Sequence, residues 1–346
     1  MKVLVTGATG FIGGNLVRAL INRGYGVRAL VRKESDRRNI DGLDIDIAIG
    51  DLTDSASLPA ALEGCDGLFH VAAAYTFWAR DPRRIYEANV TGTENILAAA
   101  CRAGIKKVVY TSSESTLKNP GDGTPGNGLE LNNPDALPGD YKKSKCLAER
   151  RALEICREGL PLVVVNPTTP IGPYDVKPTP TGSIIVNFLN GKMPAYLNTG
   201  LNVVDVEDVA AGHILAMEKG RLGERYVLGN RNLTLHDIFL VLEQMTGIKA
   251  PWLNIPLWSA LAAAHVDEFV RGGLLRRPPR IPLAAVKAAR KFRYFDCTRA
   301  VHELGMPQTP VEEAFEKAIR WFRQNGYIRP FPRVTKSGKG ASHVIS

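Results

Sequence analysis

Tyr141 and Lys145 stand four residues apart in Asp140-Tyr141-Lys142-Lys143-Ser144-Lys145, a spacing that puts phenol and amine on one face of a helix. A free phenol ionises at about pH 10 and exchanges protons poorly at neutrality. A neighbouring ammonium stabilises the phenolate and lowers that value, so Tyr141 becomes able to pass a proton to or from a substrate oxygen. Thr111-Ser112-Ser113 closes a β-branched run earlier in the chain, where a serine hydroxyl can orient the same oxygen.

A second constellation, Thr6-Gly7-Ala8-Thr9-Gly10-Phe11-Ile12-Gly13, joins an apolar run to a helical pattern. There Gly7 allows a tight turn, Gly10 lets backbone approach a pyrophosphate and Gly13 permits close helix packing, with the helix N-terminus favouring the anion. Thr9, Phe11 and Ile12 share the loop as candidate contacts. The ligand is then a dinucleotide, and Lys145 also holds its nicotinamide ribose. An NAD site usually ends its second strand with Asp or Glu for the ribose 2′-hydroxyl, but here the run is Leu30-Val31-Arg32-Lys33. Arg32 and Lys33 suit the 2′-phosphate of NADP, which Arg clamps bidentately. NADP(H) is therefore expected, with NAD(H) as the alternative because Glu34 follows directly. In Gly50-Asp51-Leu52, after the third strand, Asp51 serves equally well as acceptor for the adenine amine or as a helix N-cap.

Such residues must be brought together by elements whose ends converge. Lys2–Thr6, Gly26–Val31, Ile45–Ile49, Gly67–Val71, Lys107–Thr111 and Leu162–Asn166 read as near-continuous apolar strands. Helical patterns at Phe11–Arg23, Ser55–Leu62, Pro82–Ala103 and Asp140–Glu158 alternate with them. Alternation of this kind predicts α/β architecture: a Rossmann-type doubly wound parallel sheet with helices on both faces. Past Pro167, prolines and mixed short elements predict a smaller mixed α/β C-terminal substrate region. The expected division is a nucleotide-binding domain over 1–170, an interleaved substrate region over 171–329 and a flexible tail over 330–346.

The 346 residues are 45% hydrophobic and 23% charged, which excludes disordered and collagen-like classes and fits a soluble globular protein. Five cysteines without a Cys-x-x-Cys pair predict reduced thiols and a cytoplasmic location, and the first residues lack a signal-peptide pattern. The six histidines show no ligand spacing, so no metal is expected. The net charge of +9 comes with no nucleic-acid-binding motif, so no nucleic-acid partner is expected. Trp252 to Val270 is apolar but interrupted by Asn254, Pro256, His265, Asp267 and Glu268, which argues against a transmembrane helix. With the arginines that follow, 252–280 reads either as a peripheral membrane contact or, the favoured reading, as an amphipathic helix packed on the core.

Together the chain resembles an extended short-chain dehydrogenase/reductase. The matching pieces are the glycine loop, Gly50-Asp51-Leu52, His70-Val71-Ala72-Ala73, Asn89-Val90-x-Gly92-Thr93, Val109-Tyr110-Thr111-Ser112-Ser113, Tyr141-x-x-x-Lys145, Asn166-Pro167 and Val206-x-Asp208-Val209. Within that superfamily it is similar to the dihydroflavonol 4-reductase-like branch and its bacterial hopanoid-associated sugar epimerases. Tyr75-x-x-Trp78-Ala79-Arg80-Asp81-Pro82, Asn166-Pro167-x-x-Pro170-Ile171-Gly172-Pro173 and Lys177-Pro178-Thr179-Pro180-Thr181-Gly182 carry this likeness. The resemblance implies a catalytic triad of Ser113, Tyr141 and Lys145, with Ser113 preferred over Ser112. It also implies Val71, Ala72 and Ala73 against the cofactor, Thr111 and Ser112 below the nicotinamide, Pro167 and Thr168 near its carboxamide, and Asn89 in a structural role. Many relatives dimerise, so a homodimer is an expectation at the level of resemblance.

Tyr75, Phe77 and Trp78 follow the fourth strand and either wall an apolar substrate pocket or pack a loop. Glu114 stands where a small apolar residue is expected; its carboxylate either perturbs Tyr141 or binds a polar group of the substrate. No arginine precedes Val206-x-Asp208-Val209 in Thr199-Gly200-Leu201-Asn202-Val203, which counts against a nucleotide-sugar diphosphate. The expected activity is an NADP(H)-preferring interconversion of a secondary alcohol and a ketone on a rather apolar small molecule. The alternatives are an NAD-dependent sugar epimerase or dehydratase, a 3β-hydroxysteroid dehydrogenase with 4-carboxysterol decarboxylation, and a non-catalytic NADP-sensing protein.

Overall fold

In the computed structural model, which describes residues 1–328, the first half of the chain alternates strand and helix. It runs β1 (Lys2–Thr6), α1 (Phe11–Asn22), β2 (Gly26–Val31), β3 (Asp46–Ile49), α2 (Leu58–Leu62), β4 (Gly67–His70), α3 (Arg83–Tyr86), α4 (Gly92–Arg102), β5 (Lys107–Thr111), α5 (Asp140–Arg157) and β6 (Leu162–Pro167). The remainder adds β7 (Thr169–Ile171), α6 (Pro180–Leu189), β8 (Ala195–Tyr196), β9 (Gly200–Asp205), α7 (Val206–Lys219), β10 (Arg225–Leu228), β11 (Arg231–Thr234), α8 (Leu235–Thr246), β12 (Leu253–Asn254), α9 (Leu257–Asp267), α10 (Leu283–Ala288) and α11 (Val311–Gln324). The tail expected at 330–346 lies outside the described residues.

Seven strands form one sheet in the order β10-β6-β5-β4-β1-β2-β3, every pair parallel. Successive strand residues point to opposite faces, and both faces are covered. Val3, Val5, Val163 and Val165 pack with Leu16 and Leu20 of α1 and Val209 and Ile214 of α7. Leu4, Leu162 and Val164 pack on the other side with Leu62 of α2, Ile96 and Leu97 of α4, and Ala148 and Ala152 of α5. That two-sided burial is why the strands are apolar throughout. From β1 the chain leads to β2 on one side, and β4 lies on the other, so the crevice of a doubly wound sheet opens above the ends of β1 and β4.

The later residues supply β10 and α7 to this sheet and a separate layer beside it. There β11-β9-β7 packs on α6, α8 and α11 through Ile171, Phe188, Phe239, Phe315 and Phe322. One predicted element divides: the helix expected over Pro82–Ala103 is interrupted by a wide π-type turn at Glu87–Thr91. Asn89 there turns inward. Its Oδ1 accepts from Ala74 N (2.7 Å) and its Nδ2 donates to Ser144 Oγ (2.9 Å), bonds that tie the loop after β4 to α5.

Glu149 of α5, fully buried, is the hub between the two halves. Its Oε2 accepts from Ser112 Oγ, Thr116 Oγ1 and Asn166 Nδ2, and Oε1 accepts from Arg225 Nε of β10 at 3.0 Å. Removing one member of a buried ion pair leaves a charge without compensation, at a cost of about 3–5 kcal/mol. Arg225→Met is expected to lose stability of that order in urea unfolding, and adding Glu149→Gln to it should cost less than the two single losses summed; strict additivity would show that the pair is not coupled.

Candidate active site

A single cleft of about 1070 Å³ begins at the glycine loop, passes over the ends of β1, β4 and β5, and continues into the layer formed by the later elements. At one end the chain is crowded against itself. Gly7 has φ +73°, and a Cβ there would lie 2.7 Å from the Ala72 backbone. A Cβ on Gly13 would lie 2.0 Å from Gly7 O, so only glycine lets α1 start this close to the loop. No side chain caps α1 and no acidic residue sits in its first turn, which leaves its N-terminal amides for an anion. Asn39, absent from the sequence-based candidates, braces the loop from outside by donating to Thr9 O (3.1 Å) and Gly10 O (3.2 Å).

Gly7, Thr9, Gly10, Phe11 and Ile12 line this end of the cleft, with Arg32, Asp51, Leu52, Val71, Ala72 and Ala73. Lys33 does not. It is exposed in the turn that follows β2. Ser35 lines the cleft instead, brought round by a turn in which Ser35 N donates to Arg32 O (3.0 Å). The Asp51 carboxylate accepts from Thr53 N and Oγ1 (2.9 and 2.8 Å), while the N-cap of the following turn is Asp54. Of the two roles considered for Asp51, capping therefore belongs to its neighbour.

Across the sheet ends the cleft is lined by Thr111, Ser112, Ser113, Tyr141, Lys145, Pro167 and Thr168. The three serine, tyrosine and lysine side chains are brought together by β5 and the first turns of α5. Glu149 holds the Ser112 hydroxyl, whereas that of Ser113 pairs with Ser115 Oγ (2.9 Å) and stands beside the Tyr141 phenol, whose pKa it lowers. Helix α5 starts after Gly139 (φ +80°), and Tyr86 Oη donates to Asp140 Oδ1 (3.1 Å) to fix its first residue. The Tyr141 ring lies against Tyr75, with centroids 4.7 Å apart.

The lysine-to-phenol effect expected from the spacing is not what the geometry produces. Lys145 Nζ donates to Tyr110 Oη (3.0 Å) and to Thr111 O (2.8 Å), and sits 4.6 Å from the Tyr110 ring centre. Burial pushes the Lys145 amine down to about 7. The Tyr141 phenol is raised above its ordinary value, first by burial and then by Tyr75 and Glu114, against the nearby Ser113 hydroxyl and Arg293. Tyr141 is thus held protonated at neutral pH.

Tyr75, Phe77 and Glu114 line the far part of the cleft; Trp78 does not. The Thr76 hydroxyl donates to Trp78 O (2.6 Å) and accepts from Trp78 N (3.2 Å), a local turn that takes the indole to Gly272 instead. Glu114 is paired with Arg293, whose own backbone N–H donates to Gly200 O (2.8 Å). Arg293 and Lys142 both line the cleft and were not singled out in the sequence. Lys142 shares the tyrosine–lysine segment, which is a signal of a kind. Arg293 lies far along the chain in a run of cations, with nothing to distinguish it. Burial, then Arg293, pushes the Lys142 amine down to about 7. His70 and His213 are buried on threonine hydroxyls, Thr6 and Thr93 for the first and Thr111 for the second. Among the described residues no three His, Cys, Asp or Glu side chains gather as a metal site.

The family model of the NAD dependent epimerase/dehydratase family matches residues 3–229. A putative dihydroflavonol 4-reductase from Synechocystis sp. is 47% identical over 329 residues, covering 94% of this chain and 95% of that protein. Sterol demethylase protein B from Methylococcus capsulatus is 37% identical, covering 95% of this chain and all of that one. Among solved structures, a nucleoside-diphosphate-sugar epimerase from Pseudomonas aeruginosa superposes with TM-score 0.79 at 27% identity, over 95% of this chain and 99% of that chain.

Lys142 and Lys145 bind a proton more weakly in the folded chain, at about 7, than at the ordinary 10.5. Between those values the unfolded chain carries more protons, so these amines make stability fall as the pH drops through that window and level off below it. Urea unfolding across that range should show a shallower pH slope for Lys142→Met than for the unaltered protein. An unchanged slope would mean that the Lys142 amine is solvated.

Proposed function

The chain belongs to the NAD dependent epimerase/dehydratase family, the extended short-chain dehydrogenase/reductases, and from that premise we propose that it is an NADP(H)-preferring oxidoreductase interconverting a secondary alcohol and a ketone on a rather apolar substrate. The observation that carries this reading is one continuous cleft with a glycine cradle and Arg32 at one end and Tyr141, beside Ser113, at the other. The crowding at Gly7 and Gly13 fits a dinucleotide, since it leaves room for backbone to approach a pyrophosphate and none for a side chain. Gly7, Thr9, Gly10, Phe11 and Ile12 would hold the pyrophosphate end. Asp51 and Leu52 would face the adenine, and Val71 to Ala73, Thr111, Ser112, Pro167 and Thr168 the nicotinamide end. Arg32 and Ser35 supply a guanidinium and a hydroxyl where a 2′-phosphate would lie, with no carboxylate of β2 in the cleft wall.

When bound, the nicotinamide supplies a hydride to the carbonyl carbon or takes one from the carbinol carbon. Ser113 orients the substrate oxygen. In reduction Tyr141 gives that oxygen its phenolic proton, a role for which its raised pKa leaves it correctly protonated. In oxidation the phenolate must form first, and Lys145, one helical turn away, would have to leave Tyr110 and Thr111 O to compensate it. Tyr75 and Phe77 give the substrate side an apolar wall, and Glu114, Arg293 and Lys142 a polar corner. The names of the reductase and sterol-demethylase relatives favour an alcohol–ketone pair on an apolar skeleton. Sugar epimerisation is the second reading, supported by the epimerase superposition and opposed by the cation at the end of β2.

Mass analysis of nucleotide carried by the purified protein, with fluorescence titration of NADPH and NADH, separates the two. Exchangeable NADPH bound more tightly supports the reductase; tightly retained NAD supports the epimerase. Arg32→Ala is expected to weaken NADPH by about tenfold or more while changing NADH little, and equal weakening of both would remove the 2′-phosphate role. Tyr141→Phe should lower kcat by about 10²–10⁴ with NADPH affinity nearly unchanged.

A further inference from the structure

Helix α9 and the turn after it bury only part of their apolar surface. Ala260 and Ala264 pack inward against Val286 of α10, with Leu257 and Leu261 half-buried beside them. Other large side chains point out: Trp258 is 73% exposed, and Phe269 and Leu274 are each 68% exposed. Trp258, Ala262, Val266 and Phe269 follow helical spacing and are all exposed, so they form one stripe along the element. Leu275 and Ile281 extend the exposed apolar surface beyond it. Burying such side chains is favourable, and apolar surface gathered in this way marks an interaction face.

Its charge says what covers it. Residues 252–291 contain seven Lys and Arg against two carboxylates. Both carboxylates are engaged within the region: Asp267 accepts from Ile281 N (2.8 Å) and Glu268 from Leu283 N (3.0 Å). Arg276, Arg277 and Arg280 are exposed, and no ion pair is formed by them among the described residues. A second copy applied to this face would set guanidinium against guanidinium. An anionic bilayer offers what the face lacks on both counts, phosphates for the arginines and an acyl layer for the aromatic and aliphatic groups. Ser259, Ala263, Arg280 and Ile281 also line the cleft, so this face borders its mouth.

We propose that residues 252–281 seat the protein on an anionic lipid bilayer, with Trp258, Phe269 and Leu274 in the acyl boundary and Arg276, Arg277 and Arg280 on lipid phosphates. The cleft then opens at the membrane surface, and, on the reading that the substrate is apolar, it draws that substrate from the bilayer rather than from water. The docking itself is independent of the redox reading, and its test uses neither cofactor nor substrate.

The full chain is sedimented with sucrose-loaded vesicles of phosphatidylcholine alone or mixed with phosphatidylglycerol. Each arginine at the surface strengthens binding by several-fold, so the anionic vesicles should bind on the order of a hundredfold more tightly. High salt should remove most of that difference. Trp258→Ser/Phe269→Ser/Leu274→Ser should abolish binding, and Arg276→Gln/Arg277→Gln should lower it by tenfold or more; all five positions are exposed, and thermal melts confirm that the variants fold. No binding to anionic vesicles, or binding unchanged in the triple variant, overturns the proposal. So does a concentration-dependent dimer in light scattering that the triple variant dissolves while vesicles remain unbound, which would assign the face to a second copy.

Discussion

A carboxylate sealed from water has to be answered from all sides, and the arrangement around Glu149 follows from that demand. Its desolvation costs several kcal/mol, and the compensation comes from four separate segments: the end of β5, the turn after it, β6 and β10. Two of those segments also build the site. With Ser112 committed to Glu149, the next residue along the extended chain, Ser113, is the one left beside Tyr141, its hydroxyl shared with Ser115. Asn166 is held on the same oxygen just before Pro167 and Thr168 enter the cleft wall. A structural charge with no contact to the cleft thereby decides which hydroxyl faces the phenol.

At the other end the constraint is steric. The Gly7 turn, the start of α1 and the Ala72 backbone occupy space in which a single extra methyl has no place. Asn39 and the Arg18 side chain, which donates to Gly14 O and Asn39 O, lock the outer side of the same loop. The loop is therefore set before any ligand arrives, which lowers the ordering cost of binding. Between the two rigid ends stands a phenol that is protonated at rest and a lysine turned to Tyr110. The resting charge state favours giving a proton over taking one.

Strands buried on both faces, a glycine loop between strand and helix, and a tyrosine and lysine one turn apart are local patterns, and each could be read from neighbouring residues. The parallel sheet and the gathering of Ser113, Tyr141 and Lys145 were legible for that reason. What escaped depends on long-range placement or on a single rotation of the chain. Arg293 reaches the cleft only because its segment lies along Gly200. Lys33 and Trp78 were assigned to the cleft by proximity in sequence, and the turn after β2 and a threonine turn after β4 take them away. The direction of Lys145 needed knowledge of Tyr110 and Thr111 O, which come from a different strand.

The seventh strand carries a consequence for synthesis. β10 and its Arg225 are made after β6, with β7, α6, β8, β9 and α7 in between. Until that stretch has left the ribosome, a nascent chain holding β1 to β6 has an unfinished sheet edge at β6 and a Glu149 carboxylate with no cation to meet it. The first half of the chain cannot reach its final packing as a leading fragment and then wait for the rest. It closes late, when the growing polypeptide comes back to its own early strands, and the interval before that return is when the chain is most exposed to mispairing along the open edge.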